Sequence, residues 1–334
     1  MKDYIIKNEW NIIEEGFDPH LNKISESIFS LGNGRMGQRA NFEESYSGET
    51  LSGNYVAGVY YPDKTRVGWW KNGYPEYFAK VLNAANWIGI GIKIGSEELD
   101  LAKAKVCDFK RVLNMREGYL ERSFTAELNS GKKVKVSAMR FCSIVDDEVG
   151  AIKYSITPLN FNAKIELSPF IDGNVKNEDS NYDEKFWDFV NDEITNNEAY
   201  LTLRTKKTNF EVCTASFVQL VIDEKSLDFK SEAIKKEKFV AQKITVEAKQ
   251  NQQVSLVKIA ANLSSENHPK AQLLNHAKAV IEKAAAKGFD KLKLEQKQAW
   301  GTKWEQSDIV INGDVAAQQA IRFNIFQLFQ TYTG

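Results

Sequence analysis

The chain has 334 residues, 27% of them charged, and a net charge of −1, so it carries no electrostatic footprint for nucleic acid or an anionic membrane surface. Mean hydropathy is −0.43, and no apolar run approaches the ~20 residues a membrane-spanning helix needs. The length suits one large domain or two ordinary ones. The first residues, MKDYIIKNEWNIIEEGFDP, break their apolar stretches with charges and asparagine and do not read as a signal peptide. Cys107, Cys142 and Cys213 form no CxxC pair and are odd in number, as expected of reduced thiols. A cytoplasmic protein is expected, with the Asn262-Leu263-Ser264 sequon unglycosylated.

In chain order, a strand-like stretch, Ser27–Leu31, leads into Gly32-Asn33-Gly34-Arg35-Met36-Gly37. A dinucleotide site would need a helix opening at the third glycine. Residues 38–53 are instead polar and turn-rich, so these glycines are expected to supply positive φ in a tight turn. Residues 60–78, YYPDKTRVGWWKNGYPEYF, hold seven aromatic side chains and two of the six prolines. They show no helix or strand periodicity, which suggests a packed loop or a surface that stacks on a flat ligand such as a sugar.

From about residue 85 to 262 strands dominate. Ile88, Ile90, Ile92 and Ile94 alternate with Gly and Lys, a period of two with one buried face. Further strands are predicted at Tyr119–Leu128, Lys133–Phe141, Gly150–Thr157, Ala163–Leu167, Tyr200–Thr205, Glu211–Ile222, Phe239–Ala248 and Val254–Asn262. So many strands with few helical patterns between them predict antiparallel sheets packed face to face. The pattern then changes. Pro269–Lys287 predicts a helix with Leu273, Ala277, Ile281 and Ala284 on one face and Gly288 as its stop. Asp290 is the expected cap of a second helix bearing Trp300 and Trp304. After an apolar-alternating piece, Asp308–Asn312, a third helix starts near Asp314 with Ile321, Ile325, Leu328 and Phe329 as its apolar stripe. That stripe needs a cover, which favours reading the chain as a fragment cut just inside a following domain.

Chemical motifs are few. The three histidines, His20, His268 and His276, form no HExxH and suggest no metal site. Ser130-Gly131-Lys132-Lys133 satisfies SxxK formally but falls in a predicted hairpin turn, and no GxSxG elbow exists. Glu43-Glu44, Asp146-Asp147-Glu148 and Asn181-Tyr182-Asp183-Glu184 are expected to be solvated turns rather than catalytic acids. A glycosidase pair is defined by separation in space, which sequence does not give.

The wording of residues 61–78 resembles disaccharide phosphorylases of glycoside hydrolase family 65, the maltose-specific enzymes most of all. The likeness continues in Glu26–Gly37, Phe42-Glu43-Glu44, Tyr46-Ser47-Gly48, Asn181–Trp187 and Gln318–Phe329, in order along nearly the whole chain. The resemblance implies a mainly β fold: a large antiparallel β-supersandwich (1–265), a helical linker (266–313) and the first helix of a truncated (α/α)6 barrel (314–334). It implies inverting phosphorolysis of maltose to β-glucose 1-phosphate and glucose, with phosphate as a substrate and no cofactor. Trehalose, kojibiose and nigerose phosphorylases, a hydrolase, or a free-standing carbohydrate-binding module are the alternatives. The family's acid and phosphate ligands match no position here, so no catalytic residue is expected in this chain and the fragment alone should be inactive. What it could supply is a homodimer contact and, through Trp69, Trp70, Lys71 and Tyr74, a wall for the sugar.

Overall fold

A computed structural model describes residues 4–65, 73–178 and 184–332. The fold is mainly β and antiparallel. Its largest sheet has eleven strands. Along the sheet run β1 (Ile5–Ile6), β2 (Asn11–Glu15), β10 (Lys105–Asn114), β11 (Tyr119–Glu127), β12 (Lys133–Cys142), β13 (Val149–Pro158), β21 (Val254–Ser264), β17 (Glu211–Ile222), β16 (Glu198–Thr205) and β15 (Trp187–Ile194), with β18 (Lys225–Leu227) beside β17. A second sheet orders β19 (Ser231–Lys236), β20 (Phe239–Ala248), β14 (Ala163–Asp172), β8 (Ile90–Ile94) and β9 (Glu97–Glu98). A three-stranded sheet, β3 (Leu31–Gly32), β4 (Met36–Gln38) and β5 (Asn54–Val56), and a hairpin, β6 (Tyr60–Lys64) with β7 (Tyr77–Val81), complete it. Helix α1 spans Asn22–Ile28, α2 Leu273–Ser307 and α3 Val315–Thr331.

Strand β21 shows why the layers stack as they do. Every residue of it is buried, because both of its faces are covered. Val254, Leu256 and Ala260 join the core shared with Ile90, Ile92, Ile165, Leu167 and Ile244 of the second sheet. Val257, Ile259, Ala261 and Leu263 face Leu273, Ala277, Ile281 and Ala284 of α2. The helical stripe read from sequence is therefore the docking stripe. Gly288 marks the predicted break, with φ 71° and ψ 169° inside α2. The helix resumes at once, so Asp290 lies in its first turn and does not cap it. Asp314 does cap α3, accepting from the amides of Ala316 and Ala317.

Three expectations are corrected. Ser27 and Ile28 end α1 instead of forming a strand, and the strand begins at Leu31. Residues 60–78 do contain strands at both ends, paired Tyr60–Lys64 against Tyr77–Val81. Helix α3 docks through only part of its apolar stripe: Ile325 and Phe329 are half-buried against the core and Leu328 is 62% exposed, while the fully buried residues are Gln318, Gln319, Arg322, Phe326 and Gln330. It packs on backbone edges that need hydrogen bonds. Gln319 Nε2 donates to the carbonyls of Ile6 and Asn11, and Arg322 pairs with Asp308 over the Trp10 ring.

The thiols of Cys142 and Cys213 are buried and Cys107 is exposed, none in a disulfide. The sequon side chain of Asn262 is also buried, accepting from Thr214 Oγ1 at 2.8 Å. No helix among the described residues is long and apolar enough to cross a membrane.

Between the two large sheets lies Lys258, fully buried, its Nζ donating to the carbonyls of Gly89 (3.0 Å) and Phe170 (2.7 Å). Burial holds its ammonium well below the ordinary lysine value, since two carbonyls and, among the described residues, no carboxylate meet a charge taken out of water. The unfolded chain therefore keeps a proton that the folded chain sheds. Stability should rise with pH from the folded value up to the ordinary ~10.4. Lys258→Met should flatten that rise and raise stability at neutral pH. Urea midpoints of both proteins across pH 7–10 check this (about the window in which lysine titration acts); parallel profiles would clear Lys258 of the role.

Candidate functional site

The Gly32–Gly37 motif folds as the β3–β4 hairpin, with Gly34 at φ 82° supplying the left-handed turn and no helix at the third glycine. Asn33, fully buried, locks it: its Nδ2 donates to the carbonyls of Ser143 and Asp147, and its Oδ1 accepts from the amides of Arg35 and Met36. The Gly34 amide donates to the carbonyl of Gln330, so the end of α3 rests on this turn. One face of the three-stranded sheet is buried, through Leu31, Met36, Gln38, Asn54 and Val56. The other carries Gly32, Gly37 and Tyr55.

Over that second face opens a cleft of about 570 Å³, bounded by β3–β5, the β6–β7 hairpin and the last turn of α3. A second cleft, about 850 Å³, continues past Arg39, Tyr55 and Val81 toward Phe78, Lys80, Asn83 and Asn177. The aromatic hairpin thus borders both. It is pinned chiefly by Tyr61, which is buried, packs on Phe186 and donates through its hydroxyl to Glu184 Oε1 at 2.8 Å, while Tyr60 stands edge-on to Phe210. Burial first, then that carboxylate, raises the Tyr61 phenol above its ordinary pKa. Thr208 Oγ1 adds a bond to the Tyr60 carbonyl, and Asp63 pairs with Lys80. The remaining rings, Tyr60, Tyr74, Tyr77 and Phe78, are more than 40% exposed. Tyr74 stands edge-on to Phe78 with centroids 6.3 Å apart. Of the sequence-predicted site residues Tyr74 is thus placed on this outward ring surface, whereas Trp69, Trp70 and Lys71 lie outside the described residues.

The carboxylates depart from expectation. Glu43 and Glu44 are not solvated; they are buried and share Arg122, with Arg140 on Glu43 as well. Burial alone would raise the Glu43 carboxyl, but Arg140 and Arg122 outweigh it and hold it below the ordinary value. Arg140 also donates to the carbonyls of Asn41 and Arg39, so this ion cluster fixes the segment that delivers Arg39 to both clefts. Asp146, Asp147 and Glu148 do form a turn, but each is paired, with Lys287, Arg35 and His268 respectively. Ser130 is exposed at the β11–β12 turn as predicted. His268 and His276, eight residues apart, meet with their Nδ1 atoms 3.0 Å from each other. Among the described residues no group of three or more His, Cys, Asp or Glu is placed to hold a metal.

An antiparallel supersandwich with a helical extension and an aromatic hairpin over a cleft is the class this architecture defines. Residues 12–303 match the model of the glycosyl hydrolase family 65 N-terminal domain, and the chain belongs to that family. It is 39% identical over 329 residues to the maltose phosphorylase of Bacillus subtilis (strain 168), covering 98% of this chain and 42% of that protein. With the alpha,alpha-trehalose phosphorylase of Thermoanaerobacter brockii it shares 32%, covering 97% and 43% respectively. A solved structure titled as a putative kojibiose phosphorylase from human microbiome superposes with TM-score 0.87 at 28% identity, over 98% of this chain and 42% of that one. The chain spans about two fifths of the length of these relatives.

Proposed function

We propose that this chain is the N-terminal part of a cytoplasmic, homodimeric maltose phosphorylase. Residues 1–265 would be its sandwich, 266–313 its linker and 314–334 the first helix of a catalytic (α/α)6 barrel. The observation that carries the substrate is the identity to a maltose phosphorylase, 39% against 32% and 27% to trehalose and kojibiose enzymes. The reaction is inverting phosphorolysis. Inverting hydrolases need a carboxylate base to activate water on the face opposite the leaving group. Phosphate is already an anionic nucleophile, so one carboxylic acid that protonates the leaving oxygen suffices. Donors must then hold the phosphate, since charge stabilisation is the main remaining task. Acid and donors belong to the barrel.

The chain's own share is assembly and a wall for the sugar. The outward rings of the β6–β7 hairpin support the second role, with Trp69, Trp70, Lys71 and Tyr74 as the contacting residues. A two-stranded ribbon is marginal alone, and rings kept outward on one are suited to cover another surface or stack on a ligand. The test is made on the polypeptide carrying the barrel. Maltose should release glucose 1-phosphate only with phosphate present, and faster than trehalose, kojibiose or nigerose. Trp70→Ala and Tyr74→Ala should raise KM for maltose about tenfold, the loss of one stacking contact of roughly 1.4 kcal/mol. Release of glucose without phosphate would make it a hydrolase, and unchanged KM and kcat with lowered stability would end the wall reading.

A further inference from the structure

We propose that the cleft on the open face of the three-stranded sheet is itself a binding site for a neutral hexopyranose, built around Gly37 and Tyr55. In register, Gly32 lies opposite Gly37, and Gly37 opposite Tyr55. One row across three strands therefore presents two backbone positions without side chains and then a phenol ring. The two glycines serve different ends. A Cβ on Gly32 would stand 3.3 Å from the Gln330 carbonyl, so that glycine admits α3. A Cβ on Gly37 would meet only Tyr55, at 3.8 and 3.9 Å. Its bareness is not needed for packing; it leaves a floor where a ligand can reach the backbone.

The rest of the lining suits a sugar ring. The Tyr55 ring is held at the edge of the floor by Arg39, whose Nε donates to its hydroxyl at 3.4 Å while Nη1 donates to Ser27 Oγ. Opposite, Gln330 Nε2 donates to Gln327 Oε1 at 3.1 Å, and among the described residues no partner takes the Gln327 amide donors. No carboxylate lines the cleft, and Arg35, its other cation, is paired with Asp147. The Arg39 guanidinium is turned onto the Tyr55 and Ser27 hydroxyls rather than onto a carboxylate, and together with the aromatic ring, amides and hydroxyls it supplies donors and a face that match the hydroxyls and C–H face of a pyranose. The volume, about 570 Å³, falls in the ~300–1,000 Å³ range of small-molecule sites.

The inference shares the ligand class of the proposed function but neither its residues nor its assay. The probes are glucose and maltose titrated against the 334-residue chain, with saturation-transfer NMR for contact and calorimetry for affinity. Saturable binding is expected, kept in Tyr55→Phe and weakened at least about tenfold in Tyr55→Ala, as for loss of an aromatic anchor. Gly37→Val, in a strand and beside open space, should fold with an unchanged unfolding midpoint and lose binding by occupying the floor. If that variant does not fold, the Tyr55→Phe and Tyr55→Ala pair decides. Absence of saturable binding, or binding that survives both Tyr55→Ala and Gly37→Val, overturns the inference. Tyr74→Ala reports separately on the hairpin: loss there with Tyr55→Ala intact places the sugar on the hairpin and refutes the cleft.

Discussion

Arg122→Met is expected to destabilise the fold by about 3–5 kcal/mol, the range for removing one partner of a buried ion pair. Arg122 is fully enclosed, between the rings of Phe42 and Phe124, and satisfies both Glu43 and Glu44 at 2.6 Å. Burial would lower its pKa, but Glu44 and Glu43 raise it above the ordinary arginine value. Removing it leaves Glu44 with no cation among the described salt bridges and Glu43 with Arg140 alone. Both carboxylates would then be charges in a low-dielectric core, or would take up protons. The wild-type pH dependence follows the same logic. Because Glu43 titrates below its ordinary value when folded, its contribution is present above the unfolded pKa of about 4.3 and is lost as pH falls through the folded value. In Arg122→Met that acid limb should move toward neutral pH. Guanidinium melts at pH 5 and pH 7 (about the span where a released carboxylate would titrate) measure both effects; a loss under ~1 kcal/mol would mean the cluster is held by packing instead. A functional readout follows, since Arg140 in the same cluster fixes the carbonyl of Arg39.

Much of the sandwich is legible in the sequence for one physical reason: a strand with one wet face alternates with period two. Tyr119–Glu127 does so almost perfectly, buried at every second residue. Where the rule breaks, so does legibility. Strand β10 buries Phe109, Arg111 and Leu113 on its inner face; the guanidinium on that face disguises the pattern, and a bulge with Asp108 at φ 53° interrupts it. Strand β15 shifts phase between Phe189 and Asn191. The docking face of α3 mixes Phe326 with glutamines and an arginine that meet backbone carbonyls, so hydrophobic periodicity finds only its Ile325 and Phe329 edge. The site was hidden more deeply. Glu43 and Glu44 look solvated until Arg122 and Arg140, about 80–100 residues away in sequence, close over them, as buried charges must be paired. The Gly32–Gly37–Tyr55 row exists only once register is known, because Tyr55 is joined to the motif by strand pairing and not by spacing.

The largest packing effect is expected at Trp300. Its ring is 1% exposed and stacks on Phe326 of α3 with centroids 4.6 Å apart, while Phe329 meets its edge and Trp304 lies beside it. On the sandwich side it presses on the β10–β11 turn: a Cβ added to Gly118 would lie 1.8 Å from Trp300 Nε1. One indole therefore joins the large sheet, α2 and α3. Trp300→Ala should cost about 3–5 kcal/mol, transfer and cavity terms together, and much of the loss should appear as release of α3. The polar anchors of that helix, Gln319 and Arg322, sit a turn or more from Phe326. Leu328→Ala, at an exposed position of the same helix, should stay within about 0.5 kcal/mol. Denaturant melts give the totals, and hydrogen exchange of the Val315–Thr331 amides locates the loss. If Trp300→Ala melts as one unit with α3 still protected, the helix is held by its glutamines and arginine, and the indole only fills space. If protection of α3 falls first, the same ring that seals the sandwich sets where Gln330 rests against Gly32 and where Gln327 lines the cleft, and mutations in the linker helix will reach the cleft without touching it.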